Sequence, residues 1–344
     1  MALLQAVSRP SLRLFQPRFG EETEREPARP LPPGVEPKTG LGDLWVGKRA
    51  PDKNGVGKMD INPLLDDSDW FRIDGDYQGL IAQKKVLLQN YRDAVSATLP
   101  EGEAGAKELL ETMADYLPRT FPDQFEKQGR ILTNNLTGDV FDLDHLQDDP
   151  IRVAAQLVQE DLVLIHPDEE GHYRVTSGAV CFPSNWNLRE KLGKTIHETH
   201  DPVSTLNDSI GAMVDRFLGR MNPDRRFWRI NFLTVQNPAL TQVPEHPDLG
   251  TDGFRYKRIG NRMVEDMLLR SEREVFTKLP NSGDILFSLK TYITPFKDLP
   301  PAMAGHVRDL IENLPAGFVK GYKGWTPRQK AIVVDYLNRL AGDS

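Results

Sequence analysis

The chain has 344 residues, enough for two or three domains or for one large domain with extensions. Its 39% hydrophobic and 27% charged residues are ordinary globular usage, which excludes collagen-like, coiled-coil and wholly disordered chains. Lys and Arg number 43 against 50 Asp and Glu, a net charge of −7, so no global positive field favours nucleic acid as a partner.

From the N-terminus, Arg9, Arg13 and Arg18 stand without an acid in the first twenty residues, but the long apolar core of a signal peptide is missing. The stretch EETEREPARPLPPGVEP (Glu21–Pro37) cannot bury much surface, so residues 1–60 read as an extended arm or disordered leader. Tyr77, Leu80, Ile81, Leu87, Leu88, Tyr91 and Val95 recur at helical spacing and predict a helix closed by Pro100 and Gly102. A second helix carries Ala106, Leu109, Leu110, Met113, Tyr116 and Leu117 and ends at Pro118; a short third spans Ile151 to Val158. The front half is therefore expected to be mostly helical.

After Asp161 the texture changes to strands. LVLI (162–165), a turn over 167–171 and YRVTSGAVCF (173–182) predict a hairpin. Pro183-Ser184-Asn185 breaks the chain, Trp186 to Leu192 suggest a short helix stopped by Gly193, and Leu206 to Met221 a longer one. Strands follow at 227–235, 267–279 and 284–293, with Pro280–Gly283 as a hairpin loop. Two closing helices complete the chain, the last capped by Thr326 with Pro327 at its first position. Consecutive hairpins without helical crossovers argue for an α+β fold, an antiparallel sheet with helices on one face. Residues 61–300 would form this unit and 301–344 a helical extension.

Nothing here matches a Gly-rich phosphate loop, an HExxH pair or a GxSxG elbow. The single Cys181 excludes a disulfide framework or a cysteine-built zinc or iron–sulfur site within the chain, fits a reducing cytoplasm, and reads as a small buried hydrophobe. No apolar run approaches the ~18 residues of a membrane span. His197 and His200 lie three apart, but Asp201-Pro202 ends helical geometry, so a single histidine held at a loop is the more natural use, as a surface or hydrogen-bonding group or, on the sharper reading, as a metal ligand whose second nitrogen donates to a carbonyl or carboxylate. On a strand, Arg270, Glu272 and Glu274 would face one way and Arg273 the other. Arg229, between Trp228 and Ile230, calls for a planar anionic partner. Glu160-Asp161 most simply caps a helix, and Arg189, Lys191, Lys194 and Arg216 read as helix-face charges.

Six ordered stretches carry a family resemblance: DWFRIDGDYQGLIAQK with YLPRTFPDQF, LVQEDLVLI, VCFPSNWNLREKLG, the His200-Asp201-Pro202-Val203 stretch, FWRINF, and LLRSEREVFTKLPNSGDILFSLKTY. Over roughly residues 60–300 the chain resembles the haem-binding alpha subunit of haem-dependent oxidative N-demethylase, also called dimethylamine monooxygenase. The resemblance implies a Per-ARNT-Sim type (PAS-like) antiparallel sheet holding haem b. It also implies that a secondary methylamine such as dimethylamine is oxidised to methylamine and formaldehyde with dioxygen. Electrons would come from NADPH through a flavin and an iron–sulfur cluster on a separate reductase subunit, with neither nucleic acid nor membrane involved.

Carried onto this sequence, the family's IH-x-P-V-P-like motif falls on Thr199-His200-Asp201-Pro202-Val203-Ser204, with Thr for the apolar residue and Ser for the last proline. His200 is then the expected iron ligand and His197 the reserve. Arg229, Arg270 and Arg273 are expected at the haem propionates, Lys191 at the rim and Trp186 among the pocket walls. Glu272 and Asp161 are the expected catalytic carboxylates for a protonated amine. The rival readings are a haem-based sensor or ligand-binding module of the same fold, or a haem-free structural partner.

Overall fold

The computed structural model describes residues 61–75, 77–199, 214–244, 246, 260–261, 263–313 and 325–342. In chain order the elements are β1 (Asn62–Pro63), α1 (Tyr77–Asn90), α2 (Arg92–Val95), β2 (Ser96–Thr98), α3 (Glu103–Thr120), β3 (Phe125–Gln128), β4 (Ile131–Asn134) and β5 (Asp139–Asp142). They continue with α4 (Pro150–Ala155), β6 (Asp161–Pro167), β7 (Tyr173–Ala179), α5 (Ile196–Thr199), β8 (Phe227–Val235), β9 (Leu268–Lys278), β10 (Ile285–Pro295), α6 (Pro301–Glu312) and α7 (Pro327–Ala341). A further helical segment covers 214–219. The expected arm at 1–60, His200 and most of the helix predicted from Leu206 lie outside the described residues.

The architecture is α+β. Its main sheet has seven strands in the order β1-β8-β9-β10-β6-β7-β2, every pair antiparallel. The hairpins β6–β7 and β9–β10 join through a long-range pairing of β10 with β6, in which Leu286 faces Leu164 and Ser288 faces Leu162.

Side chains alternate across a strand, so the sheet has two unlike faces. Leu162, Leu164, Val275 and Leu286 point to the core shared with α1, α3 and α4, where Ile81, Leu87, Leu109, Met113 and Ile151 are fully covered. Farther along, Ile230 and Leu269 pack on α6 and α7 through Val307, Ile311, Val333 and Leu337. The helix α7 begins as its sequence predicts: Thr326 accepts from Gln329 N in a capping box with Pro327 at the first position, and Gly342 closes it at φ 82°.

The opposite face carries Val163, Ile165, Ile285, Phe276 and Phe287, and it too is covered, by Leu188, Leu192, Ile196, Val214, Phe217, Leu218 and Met221. Helices on one face alone were expected. The second cover consists of short irregular pieces whose apolar residues are too few per segment to show a helical period. One of them, read as a helix over Trp186 to Leu192, is only a 3-10 turn at Leu188–Glu190, because Asn187 caps it by accepting from Arg189 N.

The front half differs from the predicted helices in three places. The first helix breaks at Tyr91 before α2. Pro118 lies inside the last turn of α3 rather than ending it, since the helix continues to Thr120. Between α3 and α4 a three-stranded meander, β3-β4-β5, replaces the expected continuation of helical structure. Its strands have four residues each, too short for a period-2 signal to stand out. Among the described residues no helix is long and apolar enough to cross a membrane.

Candidate functional site

The second face of the sheet holds the chemistry. At one end Phe227, Phe276, Phe287 and Leu289 form an aromatic and aliphatic wall that stays half-buried. Phe217 stands edge-on to Phe227 and Phe276, at centroid distances of 5.2 and 5.8 Å, and Phe276 lies 4.9 Å from Phe287.

Beside the wall runs an ionic band set by strand register. Arg229 of β8 faces Glu274 of β9, Asn231 faces Glu272, and Glu272 faces Thr291 of β10. Arg229 Nε approaches Glu274 Oε2 at 2.5 Å. Glu272 accepts from both flanks: Arg270 Nε at 3.0 Å on Oε1 and Asn231 Nδ2 at 3.2 Å on Oε2. Arg270 is fully buried and also donates to the carbonyls of Leu240 and Phe182 and to Thr291 Oγ1. The alternation expected for 270–274 is therefore present, with Arg273 on the other face.

Arg273 is spent elsewhere. Buried against the N-terminal segment, it donates to the backbone carbonyls of Trp70 and Asp69 and pairs with the Asp69 carboxylate at 3.2 Å. The structure thus separates Arg273 from Arg229, Arg270 and Glu272 by the thickness of the sheet.

Asp161 does not cap a helix; it opens β6. Its two oxygens accept from the backbone amides of Cys181 and Phe182 at 2.8 and 2.9 Å, holding the chain where it leaves β7. Burial pushes its carboxyl up to about 6, against the opposing influence of Lys84, the two amides and Arg270. Cys181 is fully buried, and the same desolvation pushes its thiol up, as befits a small buried hydrophobe.

The raised carboxyl makes a pH prediction. The folded state holds the Asp161 proton more tightly than the unfolded chain, so its contribution is present below the ordinary value of 3.8 and is lost as pH rises through about 6. The stability difference between wild type and Asp161→Asn should therefore narrow from pH 4 to pH 7, by on the order of 3 kcal/mol at most. Denaturant unfolding of both proteins across that range measures it; a difference independent of pH contradicts the assignment.

Of the two expected histidine ligands, His197 is described. It lies on α5, half-buried, with Nε2 2.6 Å from Asp215 Oδ2. Lys191 Nζ donates to the Thr199 carbonyl at the end of α5. Trp186 packs partly buried on the same apolar cluster as Phe227 and Phe276. Its position is set by Asn185, which takes a left-handed φ of 59° tolerated by asparagine and bonds Gln242 through both its backbone and its amide.

Haem requires an apolar wall for its disc, a base for its iron and cations for its two carboxylates. Among the described residues the half-buried wall and the arginines beside it match two of these needs, and His200, the expected base, lies outside the described residues. Sequence reasoning took Arg216 for a helix-face charge and did not single out Arg220. With Phe217, Met221 and Phe227 they line a shallow depression of about 350 Å³ that opens beside the wall. The spacing of the two arginines about an aromatic residue and the strands bearing Phe227 and Phe276 were visible; the packing of Phe217 on those strands was not.

A family model described as haem-dependent oxidative N-demethylase, alpha subunit-like, matches residues 62–333, which takes in the sheet, both of its covers and most of the C-terminal helices. The chain therefore belongs to the haem-dependent oxidative N-demethylase alpha subunit-like family.

Proposed function

We propose that this protein is the haem-binding, amine-oxidising subunit of an oxidative N-demethylase acting on a secondary methylamine such as dimethylamine. The observation that carries the reading is the carboxylate of Glu272, held by Arg270 and Asn231 on the sheet face that also bears the half-buried aromatic wall. The strand order β7-β6-β10-β9-β8, two hairpins joined through the first and last strands of five, supports a Per-ARNT-Sim type sheet.

Bound here, haem supplies the activation of dioxygen. The aromatic wall of Phe227, Phe276, Phe287 and Leu289 would hold its disc and keep water away. The iron ligand is assigned to His200.

A dialkylamine arrives as an ammonium ion, and a carboxylate in a partly dry pocket binds it with a charge-assisted hydrogen bond. Glu272 is 12% exposed, and each of its oxygens retains a lone pair beyond those used by Arg270 and Asn231. It orients the ammonium and holds the N–H proton that oxidation must displace. Asp161 acts one step back as a positioning residue: it fixes the Cys181–Phe182 backbone, and the Phe182 carbonyl in turn receives Arg270. The chain's one cysteine cannot build an iron–sulfur cluster, which supports electron delivery from NADPH through a separate flavin and iron–sulfur subunit.

The test is turnover. Haem-loaded protein supplied with reductant and dioxygen should release formaldehyde from dimethylamine, and Glu272→Gln should raise KM for the amine by about tenfold or more, the scale of one charge-assisted contact. Haem loading without formaldehyde from any simple methylated amine would favour a sensor of the same fold.

A further inference from the structure

Nearly every described arginine is neutralised within the chain. All except Arg216, Arg220, Arg225 and Arg328 have a carboxylate within ion-pair distance. The first three of these exceptions are neighbours. Arg216 and Arg220 lie one helical turn apart, and Arg225 sits on the turn that leads into β8. All three are exposed, and none has an ion pair or hydrogen bond through its side chain among the described residues.

Over residues 214–229 five arginines stand against two aspartates, in a chain whose net charge is −7. A positive patch on a negative body gives the molecule a pole, which orients an oppositely charged partner as it approaches. The ground between the arginines is apolar: Arg216 and Arg220 rim the shallow depression with Phe217, Met221 and Phe227. Arg, Met and aromatic side chains are the types enriched where proteins meet, while lysine and acids are depleted there. Phe227 also opens β8, the strand that two residues later contributes Arg229 to the ionic band.

We propose that this patch docks the electron-donating subunit through an acidic surface on that subunit. The docking rests on the N-demethylase reading above, which requires a separate electron donor, and it locates where that donor binds. Membership of an alpha subunit-like family supports the existence of a partner subunit.

The probe is a plant-type two-iron ferredoxin, an acidic iron–sulfur carrier, offered to the full-length protein with and without hemin while association is followed by biolayer interferometry. Wild type should bind it at low salt. Arg216→Glu/Arg220→Glu should associate about tenfold or more slowly, and the gap should close at high salt, where exposed charges are screened. Lys107→Glu/Arg328→Glu makes the same change in net charge at exposed positions of α3 and α7 that do not line the depression, and should associate like wild type. Equal loss in both double variants, no loss in either, or no binding by wild type overturns the docking site. So does an oligonucleotide that displaces the ferredoxin and needs the same two arginines, since the patch then recognises phosphate. Ferredoxin binding that is intact in a protein unable to take up hemin overturns the haem reading and leaves the acidic-partner surface standing.

Discussion

Replacing His200 by alanine is expected to abolish specific hemin binding by the full-length protein, while His197→Ala retains it. The family resemblance sets this order. The His200-Asp201-Pro202-Val203 stretch is where the family resemblance puts the IH-x-P-V-P-like motif. His197 Nε2 lies 2.6 Å from the Asp215 carboxylate, a contact that orients the ring as a carboxylate does for a metal-bound histidine, so His197 stays the reserve. Lys191 Nζ donates to the carbonyl of Thr199, the last described residue before the motif. Losing a supporting partner of a metal ligand costs ~10–100-fold in affinity, so loss of the ligand itself should exceed that range. Hemin titration with the visible spectrum as readout checks it, with circular dichroism to show that the variant is folded. An unchanged spectrum in His200→Ala together with its loss in His197→Ala would reverse the two roles.

The second large effect is on stability. Arg270→Ala should cost about 3–5 kcal/mol, because it strips a fully buried cation from Glu272 and leaves the carbonyls of Leu240 and Phe182 without their donor. Arg270→Met/Glu272→Gln should recover much of that loss, since the buried charge is removed together with its partner and the volume is kept. Denaturant unfolding of the single and double variants decides. If the single variant costs no more than a surface substitution, the ionic band is not the buried network drawn here. Arg229→Met provides a contrast: its guanidinium is 28% exposed, so water replaces part of what is lost.

The elements of the back half were legible because their signals are local. The alternation through β9 and β10, the loop between them and the Thr326-Pro327 cap each need fewer than a dozen neighbouring residues to be read. The meander β3-β4-β5 was not legible, because four-residue strands of mixed polarity owe their conformation to pairing with one another and to packing of Phe125 and Leu132 on the core. Asp161 shows the same limit at the site. Its sequence position at a helix–strand junction suggested capping, but its oxygens are claimed by amides twenty residues away.

By itself the sequence determined the α+β class, the strand alternation that puts Arg270, Glu272 and Glu274 on one face, and the ordered stretches that carry the family. Only the tertiary structure decided which charges are available. Arg273 is consumed by Asp69, Arg270 by carbonyls from distant loops, and Arg216 and Arg220 are left open beside an aromatic wall. The physical reason is that periodicity assigns a side chain to a face through local backbone geometry, whereas its hydrogen-bond partners arrive from parts of the chain tens to hundreds of residues away, and their arrival is set by packing.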